Sequence, residues 1–585
     1  MRNVVSSAVV FFFILSALSF AQRTPPPNAI DGYFEDWDAR PVLSNDAPGD
    51  RGVSGIDFRT LRADSDAEWV YISFSTEDAF LLQQDNPLKL YLDTDVSDAT
   101  GTRFAGIGAE LVWNFAKREG EVRLGPSTTT VQHADIGYIP APSMTSSRFE
   151  ICFRRDATIA GRKLFPGDRI RVVLFAEEPG GDRMPDQDGG VTVELKNIPA
   201  PRVTERTLEA PAPGSIRLLS WNVEQNGLLD QQRRPIFERV LSALKPDVMC
   251  FQECFELSAG QVQSMVEATM RAPEGRHWRA LKTDAGNVMV THLDIESDWL
   301  IQPNYRESAY LLRTMDGRPL LVINAHLRCC NANEKRQQEA DGVIAFLRDA
   351  RTPGDRIDLE YGTPIIMAGD FNLVGDSRQL RTLLTGDIVD NATYGPDSAP
   401  DWDGGEWTEL PAAHPVSLFT WTWYDKGSNF APGKLDYVLY TKSALDITQH
   451  LVLNTEEMSD AQLSRLGLQR GDAFAASDHM ARIIDIVVKK PSGSGSLHPS
   501  GRPELGAVYP QPARGLLHVG INGFAGTARL TLSDMLGRTT LFSALAHYAD
   551  GSGEHILRLP MLPAGAYTLT ATGTEGAARR RVLLH

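Results

Sequence analysis

Between residues 216 and 488, six short apolar runs each end on a carboxylate, a carboxamide or an imidazole. In chain order the ends are Trp221-Asn222, Gln252-Glu253, Asn324-Ala325-His326, Gly369-Asp370-Phe371-Asn372, Leu435-Asp436-Tyr437 and Ser477-Asp478-His479. Ile216–Trp221 reads as a strand, and Val248–Gln252 and Pro364–Ala368 have the continuous apolar character of buried strands. Ile236, Val240, Leu241 and Leu244 recur at helical spacing, and a second helix passes through Val343–Leu347. Alternation over Ala309–Thr314 and Pro319–Asn324, separated by Asp316-Gly317, predicts a hairpin. Strands interleaved with helices in this way predict an α/β (α+β) four-layer sandwich, two packed mixed sheets with helices outside.

Polar groups placed just past buried strands cost free energy unless they are partnered, so six in one region call for a common purpose. Carboxylate and carboxamide oxygens suit Mg²⁺ or Mn²⁺, hard ions that retain water and accept phosphate oxygens. Two imidazoles beside such a set suit proton transfer and phosphate contact better than metal ligation. His277, His292, His414 and His450 have no comparable neighbours in sequence and read as structural.

The six motifs, in this order, closely resemble the endonuclease/exonuclease/phosphatase superfamily, whose members include DNase I-like nucleases, sphingomyelinases and inositol-phosphate phosphatases. The resemblance covers 216–488. It implies Glu253 as principal metal ligand, Asn222 as a ligand to metal or phosphate, and Asp478 completing the cage. It implies that Asp370 orients and deprotonates the attacking water, with Asn372 holding the phosphate or that water. His479, paired with Asp436, and His326 would bind the scissile phosphate. Whether Asp370 or His479 takes the proton is open at this level. One departure stands out: Val288-Met289-Val290-Thr291-His292 follows Gly286-Asn287, where relatives often carry Ser-Arg. Tyr310 and Arg328 are the candidates for the missing phosphate contact.

Two stretches rich in Pro, Gly and Ser, within 201–215 and 489–503, read as linkers and leave an all-β region on each side. The first, 24–200, contains Ile30-Asp31-Gly32, Asp36-Trp37, Leu92-Asp93-Thr94-Asp95 and Gly108-Ala109-Glu110, and it resembles the family 9-like carbohydrate-binding modules. That resemblance implies a β-sandwich and a glycan partner, or else a structural role. The Asp93/Asp95 pair fits either Ca²⁺ or a strand-end turn. The last region, 504–585, carries Val508-Tyr509-Pro510 and Leu562-Pro563-Ala564-Gly565 and resembles the sorting domain of the type IX secretion system. The resemblance implies a secretion-machinery partner and release or attachment at the cell surface. Arg2, the apolar Val9–Leu18 and Ser19-Phe20-Ala21 read as an export signal over 1–21. That run is too short for a comfortable membrane span. The five cysteines show no zinc spacing; two could bridge near the site, or all could be free thiols.

The whole chain carries −17 at neutral pH, and 216–488 holds 26 Lys and Arg against 39 Asp and Glu. Nucleic-acid binders usually show a basic footprint; here Arg328, Lys335 and Arg336 are the only local candidates. The acidic, Trp-containing stretch 394–415 reads as a long loop reaching the site. The expected function is an exported phosphodiesterase, a nuclease first. The alternatives are a phospholipase C/sphingomyelinase-like enzyme or a sugar- or inositol-phosphate phosphatase, and then a non-catalytic glycan-binding protein.

Overall fold

The computed structural model describes residues 28–352, 357–489 and, with short breaks, 504–584. The export signal and most of the 489–503 linker lie outside the described residues.

Residues 216–488 form two six-stranded sheets, with elements numbered within this region. The first sheet is built from β1 (Ile216–Asn222), β2 (Val248–Gln252), β3 (Arg279–Leu281), β4 (Val288–Thr291), β11 (Leu445–Val452) and β12 (Arg482–Val488), in the order β3-β4-β2-β1-β12-β11. The second is built from β5 (Asp294–Leu300), β6 (Glu307–Arg313), β7 (Pro319–His326), β8 (Ile365–Asp370), β9 (Thr408–Glu409) and β10 (Asp436–Tyr440), in the order β5-β6-β7-β8-β10-β9. Each sheet has one parallel pair, β1/β2 and β7/β8, flanked by antiparallel neighbours. A parallel pair needs a crossover connection. The helices α1 (Arg234–Leu244) and α3 (Asn333–Ala350) supply the two crossovers, and α2 (Ala259–Thr269) packs beside α1.

Three cores account for the continuous apolar strands. Between the sheets lie Leu218, Val248, Cys250, Tyr310, Val322, Ile366, Val438 and Ile484. The opposite face of the first sheet packs Leu219 and Trp221 on Phe237, Val240 and Leu241 of α1. The opposite face of the second packs Leu321, Ile323 and Met367 on Val343, Ile344 and Leu347 of α3. A fully buried residue of this size contributes roughly 1.5–3 kcal/mol, so both faces of each central strand stabilise the same register. The predicted hairpin is β6/β7, with Arg313 paired to Pro319.

The N-terminal region is a β-sandwich of a five-stranded and a seven-stranded sheet around one core. Its Ile30-Asp31-Gly32 and Asp36-Trp37 motifs converge on a buried carboxyl. The Asp31 and Gly32 amides donate to Glu150 Oε1 at 2.6 Å, and the Trp37 indole donates to Glu150 Oε2 at 2.8 Å. Residues 201–215 have no regular secondary structure, yet they are a strap rather than a free linker. Val203 and Arg206 donate backbone bonds to Val416 and Pro415 carbonyls, and Leu208 is buried in the α1 core. The described residues within 504–584 form a three- and a four-stranded sheet. Among the described residues no helix is long and apolar enough to cross a membrane.

The acidic stretch 394–415 does not present its aromatics to the strand ends. Trp402 and Trp407 are buried in the α3 core, and the Trp402 indole donates to the Thr363 carbonyl at 2.6 Å. Apolar burial outweighs the acidic character of the surrounding residues.

Candidate active site

All six polar motifs come to the same end of the two sheets. β1, β2, β7 and β8 finish there, while β4, β6, β10 and β12 begin there. Asp370 lies at the centre. Its Oδ2 accepts from Asn372 Nδ2 at 2.9 Å and from Asn222 Nδ2 at 3.1 Å, and its Oδ1 accepts the Asn372 amide at 2.9 Å. The same Oδ2 is 3.5 Å from His326 Nε2 and 3.7 Å from His479 Nε2. His479 Nδ1 lies 2.8 Å from Asp436 Oδ2, which also accepts from the Thr422 hydroxyl at 2.7 Å. Asp370, Asp436, His326 and His479 are all buried.

Glu253 sits just past β2 at φ +61° and closes the other side. Asn222 Nδ2 donates to its Oε1 at 3.2 Å, His326 Nε2 is 3.9 Å away, and the Gln225 amide caps Oε2 at 2.8 Å. Asn222 therefore bridges Glu253 and Asp370 through its amide nitrogen, while its Oδ1 accepts the Glu224 amide. Asp478 Oδ2 accepts the Trp423 indole N–H at 2.8 Å, and its carbonyl accepts the Tyr424 amide. Below these groups, Gln252 Nε2 donates to Asn324 Oδ1 at 2.8 Å and ties the two sheets together.

The charges follow from this packing. Burial pulls the His479 imidazole down, but Asp436 and Asp370 outweigh it and hold the ring cationic. Burial pushes Asp370 up, offset in part by His479, so its carboxylate is more basic than an exposed one. His326 goes the other way: burial, with Arg306 and His479 nearby, keeps it neutral.

Residues 219–479 match the sequence profile of the Endonuclease/Exonuclease/phosphatase family. This stretch is an endonuclease/exonuclease/phosphatase-family domain. Among solved structures, an endonuclease/exonuclease/phosphatase from Beutenbergia cavernae is 15% identical, with 63% of this chain and 100% of that chain covered and a TM-score of 0.28. An AP endonuclease from Leishmania major is 12% identical, with 50% and 93% covered and a TM-score of 0.30. A sphingomyelinase C from Streptomyces griseocarneus is 16% identical, with 46% and 99% covered and a TM-score of 0.29. These scores are too low for any of the three to bear on substrate. No curated protein matches the chain.

Within the endonuclease/exonuclease/phosphatase-family domain, two sequence candidates are placed elsewhere. Tyr310 is buried between the sheets. Arg328 donates to the Asn304 carbonyl at 2.7 Å and lies 3.9 Å from Glu339. The proposed basic patch is not a patch either, because Arg336 is buried and donates to the Arg328 and Cys330 carbonyls. All five cysteines are free: Cys152, Cys250 and Cys254 are buried, and Cys329 and Cys330 are exposed.

Two residues were missed. Arg306 stands directly before β6, and its carbonyl accepts the His326 amide. Its guanidinium lies over the Phe255 ring, 5.5 Å from the centroid, with Nε buried and unpartnered. Phe255 in turn lies 6.2 Å from His326 and is 39% exposed. The signal was present in the hairpin: once Arg313 pairs with Pro319, counting back along both strands sets Arg306 opposite His326. The second is Trp423, which the alternation Trp421-Thr422-Trp423 does not single out. No local pattern showed that its indole N–H would meet Asp478.

The donor set suits a hard divalent cation. Glu253, Asp370 and Asp478 present carboxylates, with Glu224 close enough that Asp478 and Glu253 help burial to raise its pKa. Asn222 stands between Glu253 and Asp370, and by their motifs Glu253 and Asp478 would be the residues to hold such an ion.

Proposed function

We propose that this protein is a divalent-metal-dependent phosphoesterase that hydrolyses phosphodiester bonds, and that its substrate is nucleic acid. The observation that carries this reading is the setting of Asp370: one buried carboxylate meeting two carboxamides and two imidazoles. A bound Mg²⁺ or Mn²⁺ would supply positive charge for the phosphoryl oxygens and the leaving group. The chain's own residues divide the remaining work. His479 has Nδ1 engaged by Asp436 and is held cationic, so it offers a proton and positive charge rather than accepting a proton. Asp370, raised in basicity and aligned by Asn372, is the acceptor for the proton of an attacking water. His326, neutral, offers Nε2–H to a phosphate oxygen. Arg306, with its buried unpartnered Nε, supplies a second cationic contact.

Nucleic acid is preferred over lipid or sugar phosphate because Phe255 and Arg306 offer an aromatic face and a guanidinium at the rim beside His326. A stacked base next to a bound phosphate uses both. Export through the type IX route, attachment at the surface and glycan contact by the N-terminal sandwich belong to the same reading, with the resemblances of the terminal regions as their support.

The test is metal-dependent nicking of supercoiled plasmid by the full chain, with EDTA and His479→Ala controls. Nicking lost in both controls supports the proposal. Metal-dependent turnover of sphingomyelin or inositol phosphates without nicking would move the substrate to those esters.

A further inference from the structure

Outside the catalytic region, four carboxylates of the N-terminal sandwich converge. Asp46, Asp50, Asp57 and Asp182 each offer an oxygen, and these atoms all lie within 4.8 Å of one another. They come from separate parts of the chain. Asp46 follows the edge strand Ser44–Asn45, Asp50 lies in the loop, Asp57 directly precedes the strand Phe58–Ser65, and Asp182 directly precedes Arg183–Met184. Asp57 and Asp182 are each only 2% exposed.

The hydrogen bonds leave this cluster short of positive charge. Asp57 Oδ1 accepts from Arg59 Nη1 at 3.0 Å and its Oδ2 from the Gly49 amide at 2.9 Å. Asp182 Oδ2 accepts the Phe58 amide at 2.6 Å, but its Oδ1 is enclosed and has no donor. Both oxygens of Asp46 are likewise enclosed and without a partner. One arginine therefore faces four carboxylates, and three buried acceptor atoms are unsatisfied. A buried, unpaired carboxylate oxygen costs several kcal/mol unless a cation or proton answers it. Burial and mutual repulsion push Asp46 up to about 7 and Asp182 up to about 6 in the absence of a cation.

We propose that Asp46, Asp50, Asp57 and Asp182 bind one calcium ion that fastens the 46–57 loop to the sandwich. An all-oxygen, carboxylate-rich set suits a hard ion. Ca²⁺ accepts about six to eight oxygens in a flexible geometry, whereas Mg²⁺ demands a near-ideal octahedron and keeps its waters, so four carboxylates converging from separate segments suit Ca²⁺. The other acidic group of the sandwich, Asp93, Asp95 and Glu110, gathers three carboxylates rather than four, and there too one member is paired, Asp93 with Arg171 Nε at 2.7 Å.

The experiment is calorimetric titration of the EGTA-stripped full chain with Ca²⁺ in excess Mg²⁺, beside the double variant Asp46→Asn/Asp182→Asn. The variant is expected to bind one Ca²⁺ fewer per chain. Trypsin cleavage after Arg51, in the fastened loop, is expected to slow when Ca²⁺ is added to the wild type only. Equal Ca²⁺ counts in the two proteins overturn the proposal. If the double variant does not fold by circular dichroism, Asp50→Asn replaces it, and Ca²⁺ affinity at one site should fall about tenfold or more. Unchanged affinity there overturns the proposal as well. Neither readout depends on catalysis, so failure here is distinct from failure of the phosphoesterase reading.

Discussion

His479 Nδ1 lies 2.8 Å from Asp436 Oδ2 while its Nε2 lies 3.7 Å from Asp370 Oδ2, so one buried ring spans two carboxylates contributed by neighbouring strands. Asp436 fixes the tautomer and sustains the positive charge. Replacing Asp436 with Asn keeps the shape and removes the charge. It should lower kcat about 10²–10⁴-fold with an unchanged circular dichroism spectrum. A loss under fivefold would place the charge elsewhere.

Arg306 offers its guanidinium beside His326 with Nε unpartnered. Arg306→Ala should cost about 10–100-fold in kcat/KM, and Arg306→Lys should recover part of it, because the charge survives but the fork does not. Steady-state kinetics on whichever phosphodiester the nicking and turnover assays show to be cleaved decide it. Equal losses in both variants would show that shape rather than charge matters.

Glu253 is capped by Gln225 and bridged by Asn222, so its geometry should survive loss of its charge. Glu253→Gln should raise the Mg²⁺ concentration for half-maximal activity about 10–100-fold. EDTA should abolish wild-type activity and added Mg²⁺ restore it. An unshifted Mg²⁺ dependence would remove Glu253 from the metal site.

Glu457 gives a pH prediction for the fold itself. Burial pushes its carboxyl up, but the His414 contact at 3.1 Å and the Ser417 hydroxyl at 2.7 Å outweigh burial and bring it down to about 2. A depressed carboxylate stabilises the fold fully above its unfolded value near 4.5 and loses that contribution as pH falls toward 2. The wild type should therefore lose about 2–3 kcal/mol across that window. Glu457→Gln should lose less, as urea titrations at pH 7 and pH 3 would show.

The N-terminal sandwich bears on the site through packing. Ala431 of the catalytic region is buried in the sandwich core, and Met144 of the sandwich is buried in the α3 core. The Thr145 amide donates to the Gly375 carbonyl at 2.8 Å, and the Ser143 hydroxyl to Leu373 at 2.9 Å, just past Asn372. A chain beginning at residue 201 should melt at lower temperature and lose turnover with it. Wild-type stability and kcat in that fragment would reduce the contact to mere proximity.

What the sequence alone determined is local. Each candidate catalytic group borders an apolar strand, Asp436 at the start of β10 and Asp478 and His479 just before β12, and strand borders are read from hydropathy and residue type without knowing the neighbours. Asn222, Glu253, His326, Asp370, Asn372, Asp436, Asp478 and His479 were therefore visible at once, as were the two sheets and the β6/β7 hairpin. The tertiary structure decided whatever depends on which strands become neighbours. It set Arg306 opposite His326, buried Tyr310 between the sheets, tied Arg328 to the Asn304 carbonyl, turned the Trp423 indole onto Asp478, and sent Trp402 and Trp407 into the α3 core. It also converted residues 201–215 from an expected linker into a strap. Those outcomes come from hydrogen bonds and burial between segments distant in the chain, and neither hydropathy nor spacing along one segment encodes them.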